Sequence, residues 1–233
     1  MKQNRALLMK SIIYRPYSEF VTFLIAWMLT GQLEVSIAIG VANLFMKIFS
    51  YFIFDVFWNK FIKDNYSPCV IWLTGLSGSG KTTIANELFK KLKRKDVKCI
   101  ILDGDEIRNV FNNNGFDKES RIQHNINVGY MAFLLEKQGY IVIVSLVSPY
   151  REARDKCREI VSNFKEVYVS TSLSVCEQRD VKGLYKKARN GDIKQFTGID
   201  DPYNEPLHAE ITLDTEKLDL KCCVDLIVKS LQK

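Results

Sequence analysis

Residues 75–82 read GLSGSGKT and satisfy G-x-x-x-x-G-K-[ST] at every fixed position. Each residue type has a chemical task. Gly75, Gly78 and Gly80 let the backbone curl so that successive N–H groups face phosphate oxygens, and Leu76, Ser77 and Ser79 complete the cradle. Lys81 is placed to reach the β- and γ-phosphates, and Thr82 offers a hydroxyl to Mg²⁺. The helix that begins here adds the positive end of its dipole. The loop therefore binds a nucleoside triphosphate. It is silent about the acceptor.

A second group of residues narrows the acceptor. The run KCIILDGD (98–105) ends in two carboxylates, Asp103 and Asp105. In a small phosphoryl-transfer enzyme a carboxylate there orients or deprotonates the acceptor hydroxyl, or holds Mg²⁺ through water. Asp105 also suits the N-cap of a helix starting near Glu106, and the two roles are compatible. No N-K-x-D-like guanine reader and no GTPase switch pattern follow.

These residues need a scaffold. VIWLT (70–74) reads as a buried strand, and TTIANELFKKLKRK (82–95) has apolar positions at helical spacing. Strands are expected at 98–105, 140–149, 165–171 and 209–215, and helices at 119–139, 151–163 and 218–232. The alternation predicts an α/β fold, a parallel sheet covered by helices on both faces. Ligands gather at the C-terminal strand ends of such sheets, which singles out Asp103, Asp105 and Ser148.

The N-terminal part is different. FVTFLIAWMLT (20–30), extended back to Ser11, and VSIAIGVANLFMKIFSYFIFDVFW (35–58) flank a short acidic turn, GQLE. About 20 apolar residues cross a bilayer core. The second stretch has that length; the first has it only if Arg15 snorkels to the interface. Residues 11–58 thus read as a multi-pass membrane hairpin, with a soluble helical hairpin or a surface helix as the other readings, kept open by Lys47 and Asp55. Lys2, Arg5, Lys10 and Arg15 flank one end and Lys60 and Lys63 the other, which puts both ends, and the phosphate loop, in the cytoplasm. The domains are then 1–64, a linker at 65–68, and 69–233.

A net charge of +6 and one short basic run, KKLKRK (90–95), do not make a nucleic-acid surface. The six cysteines contain no C-x-x-C pair, so a zinc site is not expected.

The segments GLSGSGKTT, LDGDEIR (102–108), NGFDKESR (114–121), SLVSPYREARD (145–155) and RDVKGLYKKARNGDIKQFTGIDDPYNEP (179–206) occur in one order and together resemble the adenylylsulfate kinase family over residues 68–233. The N-terminal stretch resembles a small family of predicted membrane domains with no assigned function. The first resemblance implies a P-loop kinase that uses ATP and Mg²⁺ to phosphorylate the 3′-hydroxyl of adenosine 5′-phosphosulfate (APS), giving 3′-phosphoadenosine 5′-phosphosulfate (PAPS). It implies site roles as well. Asp105 and Arg108 contact the acceptor nucleotide, Phe116 and Phe196 sandwich its adenine, and Arg121 pairs with its phosphosulfate. Val147 and Ser148 line the site, and Lys182 opens a lid that runs to Asp200. The family's serine is often described as a phosphoserine intermediate, but in-line transfer to a hydroxyl needs none. A homodimer is also implied.

The chain departs from the family at one position. Asn commonly stands third after the arginine; here that place is His124, and Asn125 comes one residue later, about 100° round a helix. His124 is expected to take over the substrate contact. Two other readings stay open: a P-loop kinase of another small alcohol, and a nucleotide-gated membrane interaction protein that binds ATP without turnover.

Overall fold

The computed structural model describes residues 20–61, 66–110 and 115–231; for residues 54–61 and 109–110 only the backbone is described. The chain divides into two compact units, Met1–Asp64 and Asn65–Lys233.

In the first unit, helix α1 (Phe20–Thr30) leads through a tight turn into α2 (Leu33–Phe61). Gly31 turns the chain with a left-handed φ of 66° and donates its N–H to the Trp27 carbonyl, as a helix stop requires. Asn43 donates to Thr22 Oγ1 at 3.4 Å, which ties the two helices together as neighbours. The hydroxyls of Thr30 and Ser36 bond back to the carbonyls of Ala26 and Gln32, both at 2.8 Å, so they need no water. Leu33–Ile53 is apolar over 21 residues, about 31 Å at 1.5 Å per residue, enough to cross a hydrocarbon core. Its Leu, Ile and Phe side chains are mostly exposed. The described part of α1 is shorter than a span. The expected start of the first span (11–19), the basic residues Lys2, Arg5, Lys10 and Arg15, and Lys63 lie outside the described residues.

The second unit is built on five parallel strands in the order β2-β3-β1-β4-β5: β1 (Cys69–Thr74), β2 (Cys99–Asp103), β3 (Ile141–Ser145), β4 (Phe164–Val169) and β5 (Ile211–Leu213). Chain order reverses at β1, and ligands sit at such a switch point. Every residue of β1 and β3 is buried. Alternate residues serve opposite faces. Ile71 and Leu73 pack with Ile84, Leu88 and Leu92 of α3 (Lys81–Arg94) and with Val224 and Ile227 of α9 (Leu220–Leu231). Val70 and Trp72 pack on the other side with Val128 and Ala132 of α5 (Lys118–Lys137) and Cys157 of α6 (Arg151–Ile160).

Several expected boundaries shift. β3 stops at Ser145, not 149, because the chain peels away to present the Val147 carbonyl to Thr74 Oγ1 at 2.8 Å. α4 (Gly104–Val110) starts two residues before Glu106. Its cap is Asp103, whose Oδ1 accepts the Asp105 N–H at 2.9 Å, so Asp105 sits inside the first turn with its carboxylate exposed. Two short helices, α7 (Leu173–Arg179) and α8 (Leu184–Arg189), fill the segment before β5.

Candidate active site

The GLSGSGKT loop joins β1 to α3 at the C-terminal edge of the sheet. Gly75 must be glycine: a Cβ there would stand 2.6 Å from the Val169 carbonyl oxygen. Gly80 precedes α3 with φ 105°, which L side chains rarely adopt. Lys81 is buried and folds over the loop, donating to the carbonyls of Gly75 at 2.9 Å and Leu76 at 2.8 Å. Burial pushes its pKa down to about 8, against a pull from nearby Cys176 and Asp105. Thr82 Oγ1 lies 3.5 Å from Ser145 Oγ, and Ser145 is in register with Asp103 on the neighbouring strand. These are the hard oxygen donors that Mg²⁺ accepts alongside phosphate. The loop is also held from far along the chain. The Ser79 carbonyl accepts from Thr171 Oγ1 at 3.1 Å and Thr215 Oγ1 at 3.2 Å, and Arg179 Nη1 donates to Thr215 Oγ1 at 3.1 Å.

Asp105 projects from the first turn of α4 and forms an ion pair with Lys182, which follows α7. Arg108, on the same helix, donates to the Gly115 carbonyl at 2.8 Å, and its guanidinium lies 4.8 Å from the centre of the Phe116 ring. Burial lowers its pKa, and Arg121 adds to the shift. Arg121 is the link between distant segments. It donates to the Phe116 carbonyl at 2.6 Å, to Thr197 Oγ1 at 2.7 Å and to the Gln195 carbonyl at 2.5 Å. Phe116 and the neighbours of Phe196 are thereby tied to one guanidinium. Phe196 itself stands edge-on to Tyr185, with ring centres 5.0 Å apart, and its N–H bonds Asp200 Oδ1 at 2.5 Å. A cavity of about 730 Å³ opens beside the loop between Leu76, Leu173, Ile199 and Tyr203. Asp105, Arg121 and Phe116 are not among its lining residues.

Ser148 is buried, not open. It holds φ 47°, and its Oγ accepts the indole N–H of Trp72 at 3.0 Å. Its carbonyl accepts from Arg154 Nη1 at 2.6 Å. Arg154 is 1% exposed, and it also bonds Glu166 Oε1 and the Asn204 carbonyl, both at 2.6 Å. Val147 lies beside it, with its carbonyl bound to Thr74. Trp72, Arg154 and Tyr185 were not singled out from the sequence. A signal existed for Arg154: it falls on the buried face of α6 with Ala153 and Cys157, where a charge must have partners.

His124 is buried in α5 with 1% exposure, and among the described residues neither ring nitrogen has a hydrogen-bond partner. Burial pushes its pKa down to about 4, with Arg108 adding to the shift. The imidazole is neutral at pH 7.

The chain is similar to known proteins. Residues 67–214 match the family described as adenylylsulphate kinase, and residues 8–59 match a family described as predicted membrane protein, DUF2061. An adenylyl-sulfate kinase of Rippkaea orientalis is 51% identical over 164 residues, covering 70% of this chain and 89% of the relative. The structure of a Mycobacterium tuberculosis APS kinase in complex with AMPPNP and APS superposes with a TM-score of 0.68 at 35% identity, covering 71% of this chain and 98% of that one. A hexameric APS kinase from Thiobacillus denitrificans superposes with a TM-score of 0.55 at 25% identity, covering 75% of this chain and 30% of that one. With the family match spanning more than half of its length, this chain belongs to the adenylylsulfate kinase family.

Proposed function

We propose that the chain transfers the γ-phosphoryl group of ATP to the 3′-hydroxyl of APS, giving PAPS and ADP. The observation that carries this reading is the Arg121 link. One guanidinium ties the Phe116 carbonyl to Gln195 and Thr197, on either side of Phe196. Two aromatic faces and a cation fit a flat base bearing an anionic tail. The Mycobacterium relative, in complex with APS and AMPPNP, supports both ligands.

Residues Gly75–Thr82 cradle the triphosphate, and Lys81 meets its β- and γ-oxygens. Thr82 and Asp103 would hold Mg²⁺, which would neutralise charge on the transferring group. Asp105 accepts the proton of the 3′-hydroxyl as that oxygen bonds to phosphorus; the bond to the β–γ bridging oxygen breaks and ADP leaves. Arg108 and Arg121 hold the acceptor's anionic end. Lys182 closes the charge balance at Asp105. Val147 and Ser148 shape the floor.

The N-terminal unit is a membrane anchor in this reading, two spans within residues 11–58 with both ends cytoplasmic. Support comes from the predicted-membrane family match and the exposed apolar length of α2. The kinase units self-associate, an assignment supported by the hexameric relative.

The test is turnover. Full-length protein in detergent, given ATP, Mg²⁺ and APS, should release ADP and form PAPS over many cycles. Asp105→Asn should lower kcat by about 10²–10⁴ with nucleotide binding kept. ATP binding with no PAPS formed would overturn the proposal.

A further inference from the structure

Tyr185 touches both halves of the site. It is 1% exposed, at the start of α8. Its hydroxyl donates to the Ser77 carbonyl, inside the phosphate loop, at 2.9 Å. Its ring meets Phe196 edge-to-face at 82°. The residue cannot shift freely between these contacts. Asp180 accepts its backbone N–H at 3.0 Å and that of Lys186 at 3.0 Å, which pins the first turn of α8. The far end is pinned as well, because Asp200 accepts the N–H groups of Gln195 and Phe196.

The geometry of the loop gives this chain of contacts a direction. A phosphate-binding loop points its N–H groups inward at the anion, so its carbonyls point outward. A bound triphosphate therefore fixes the orientation of the Ser77 peptide. That peptide is the acceptor for the tyrosine hydroxyl, and the tyrosine ring is the wall against which Phe196 stands.

We propose that Tyr185 is a positioning residue that couples nucleotide occupancy of the phosphate loop to the acceptor platform at Phe196. It touches neither reacting group. It carries a coupling free energy, so each ligand raises the affinity of the other by the same factor. One buried hydrogen bond is the link, which sets that factor at about two- to tenfold. The inference rests on the reading of Phe196 as the acceptor's adenine platform.

The experiment measures APS affinity by calorimetry on the full-length protein in detergent, with and without saturating AMPPNP and Mg²⁺. The wild type should bind APS about two- to tenfold more tightly with AMPPNP present. Tyr185→Phe keeps the ring and its packing and removes only the hydroxyl. Its APS affinity without AMPPNP should stay within about twofold of wild type, while the AMPPNP effect collapses to about one. A general packing defect would weaken both measurements and leave their ratio alone. Phe196→Ala, which removes the platform, should weaken APS binding in both conditions. An unchanged ratio in Tyr185→Phe, or a wild-type ratio of one, overturns the coupling. Full APS affinity in Phe196→Ala, or no APS binding by the wild type, overturns the platform reading beneath it.

Discussion

Trp72 and Ser148 lie 76 positions apart in the chain, yet the indole N–H of one donates to the hydroxyl of the other at 3.0 Å. Both are buried, and Arg154 donates to the serine carbonyl. The serine hydroxyl thus accepts the hydrogen bond that satisfies a buried indole N–H. Ser148→Ala would leave a buried indole N–H unpaired, at about 1–3 kcal/mol of stability. Turnover should persist, reduced but measurable, because no phosphoserine is needed. Ser148→Gly should relieve the left-handed φ and recover part of the backbone strain. Urea unfolding beside steady-state kinetics separates the two effects. A well-folded Ser148→Ala protein with no turnover at all would show that the hydroxyl is chemically required.

Burial disfavours the charge of Lys81 and pushes its pKa down to about 8. A bound triphosphate favours that charge and raises the pKa again. ATP binding at pH 8 should therefore take up a proton, a fraction of one per site, and affinity should fall as pH rises further. Calorimetry in two buffers of different ionisation heat measures the uptake. Lys81→Met should abolish it; equal uptake in that variant would place the titrating group elsewhere.

His124 governs a different window. Its folded pKa of about 4 lies below the ordinary 6.5, so between these values the unfolded chain holds the extra proton. Stability should fall as pH drops through this range, by on the order of 3 kcal/mol at its lower end. His124→Asn has no such proton to gain, and its melting temperature should be flatter between pH 4 and 6.5. Matching pH profiles for the two proteins would mean that the imidazole finds a way to charge in the fold.

The apolar length of α2 makes a prediction about partitioning. The full chain should stay in the membrane pellet after alkaline carbonate and be released by detergent. Arginine in place of Leu44, inside Leu33–Ile53, should weaken insertion by about 2.5–3.5 kcal/mol and move protein to the soluble fraction. Release of the wild type by carbonate alone would make the unit a peripheral hairpin.

What could be read from the sequence follows from distance along the chain. The phosphate loop and the five strands announce themselves locally, through a fixed motif and through apolar runs whose length matches a buried strand. Element ends were harder, because a cap is decided by competition between neighbours: Asp103 caps α4, and Asp105 is left exposed for other work. The contacts made by Arg121 with Gln195 and Thr197, and by Trp72 with Ser148, span 74 to 76 residues and leave no periodic trace. The strand-end rule brought Ser148 to notice and family resemblance brought Arg121, but neither pointed to Trp72, Gln195 or Thr197 as their partners. Arg154 was legible in principle, as a charge on a buried helix face.

The Ser79 carbonyl receives its bond from Thr215, 136 residues further on. That separation has a meaning during synthesis. A ribosome adding about 5–20 residues per second needs roughly 7–27 seconds to travel from the loop to that threonine. Through that interval the nascent chain exposes a phosphate loop without its last brace, while the apolar α2 has already emerged ahead of it. On the anchor reading proposed above, membrane engagement can therefore precede a finished nucleotide site, and the kinase becomes competent only after α2 has had its chance to insert.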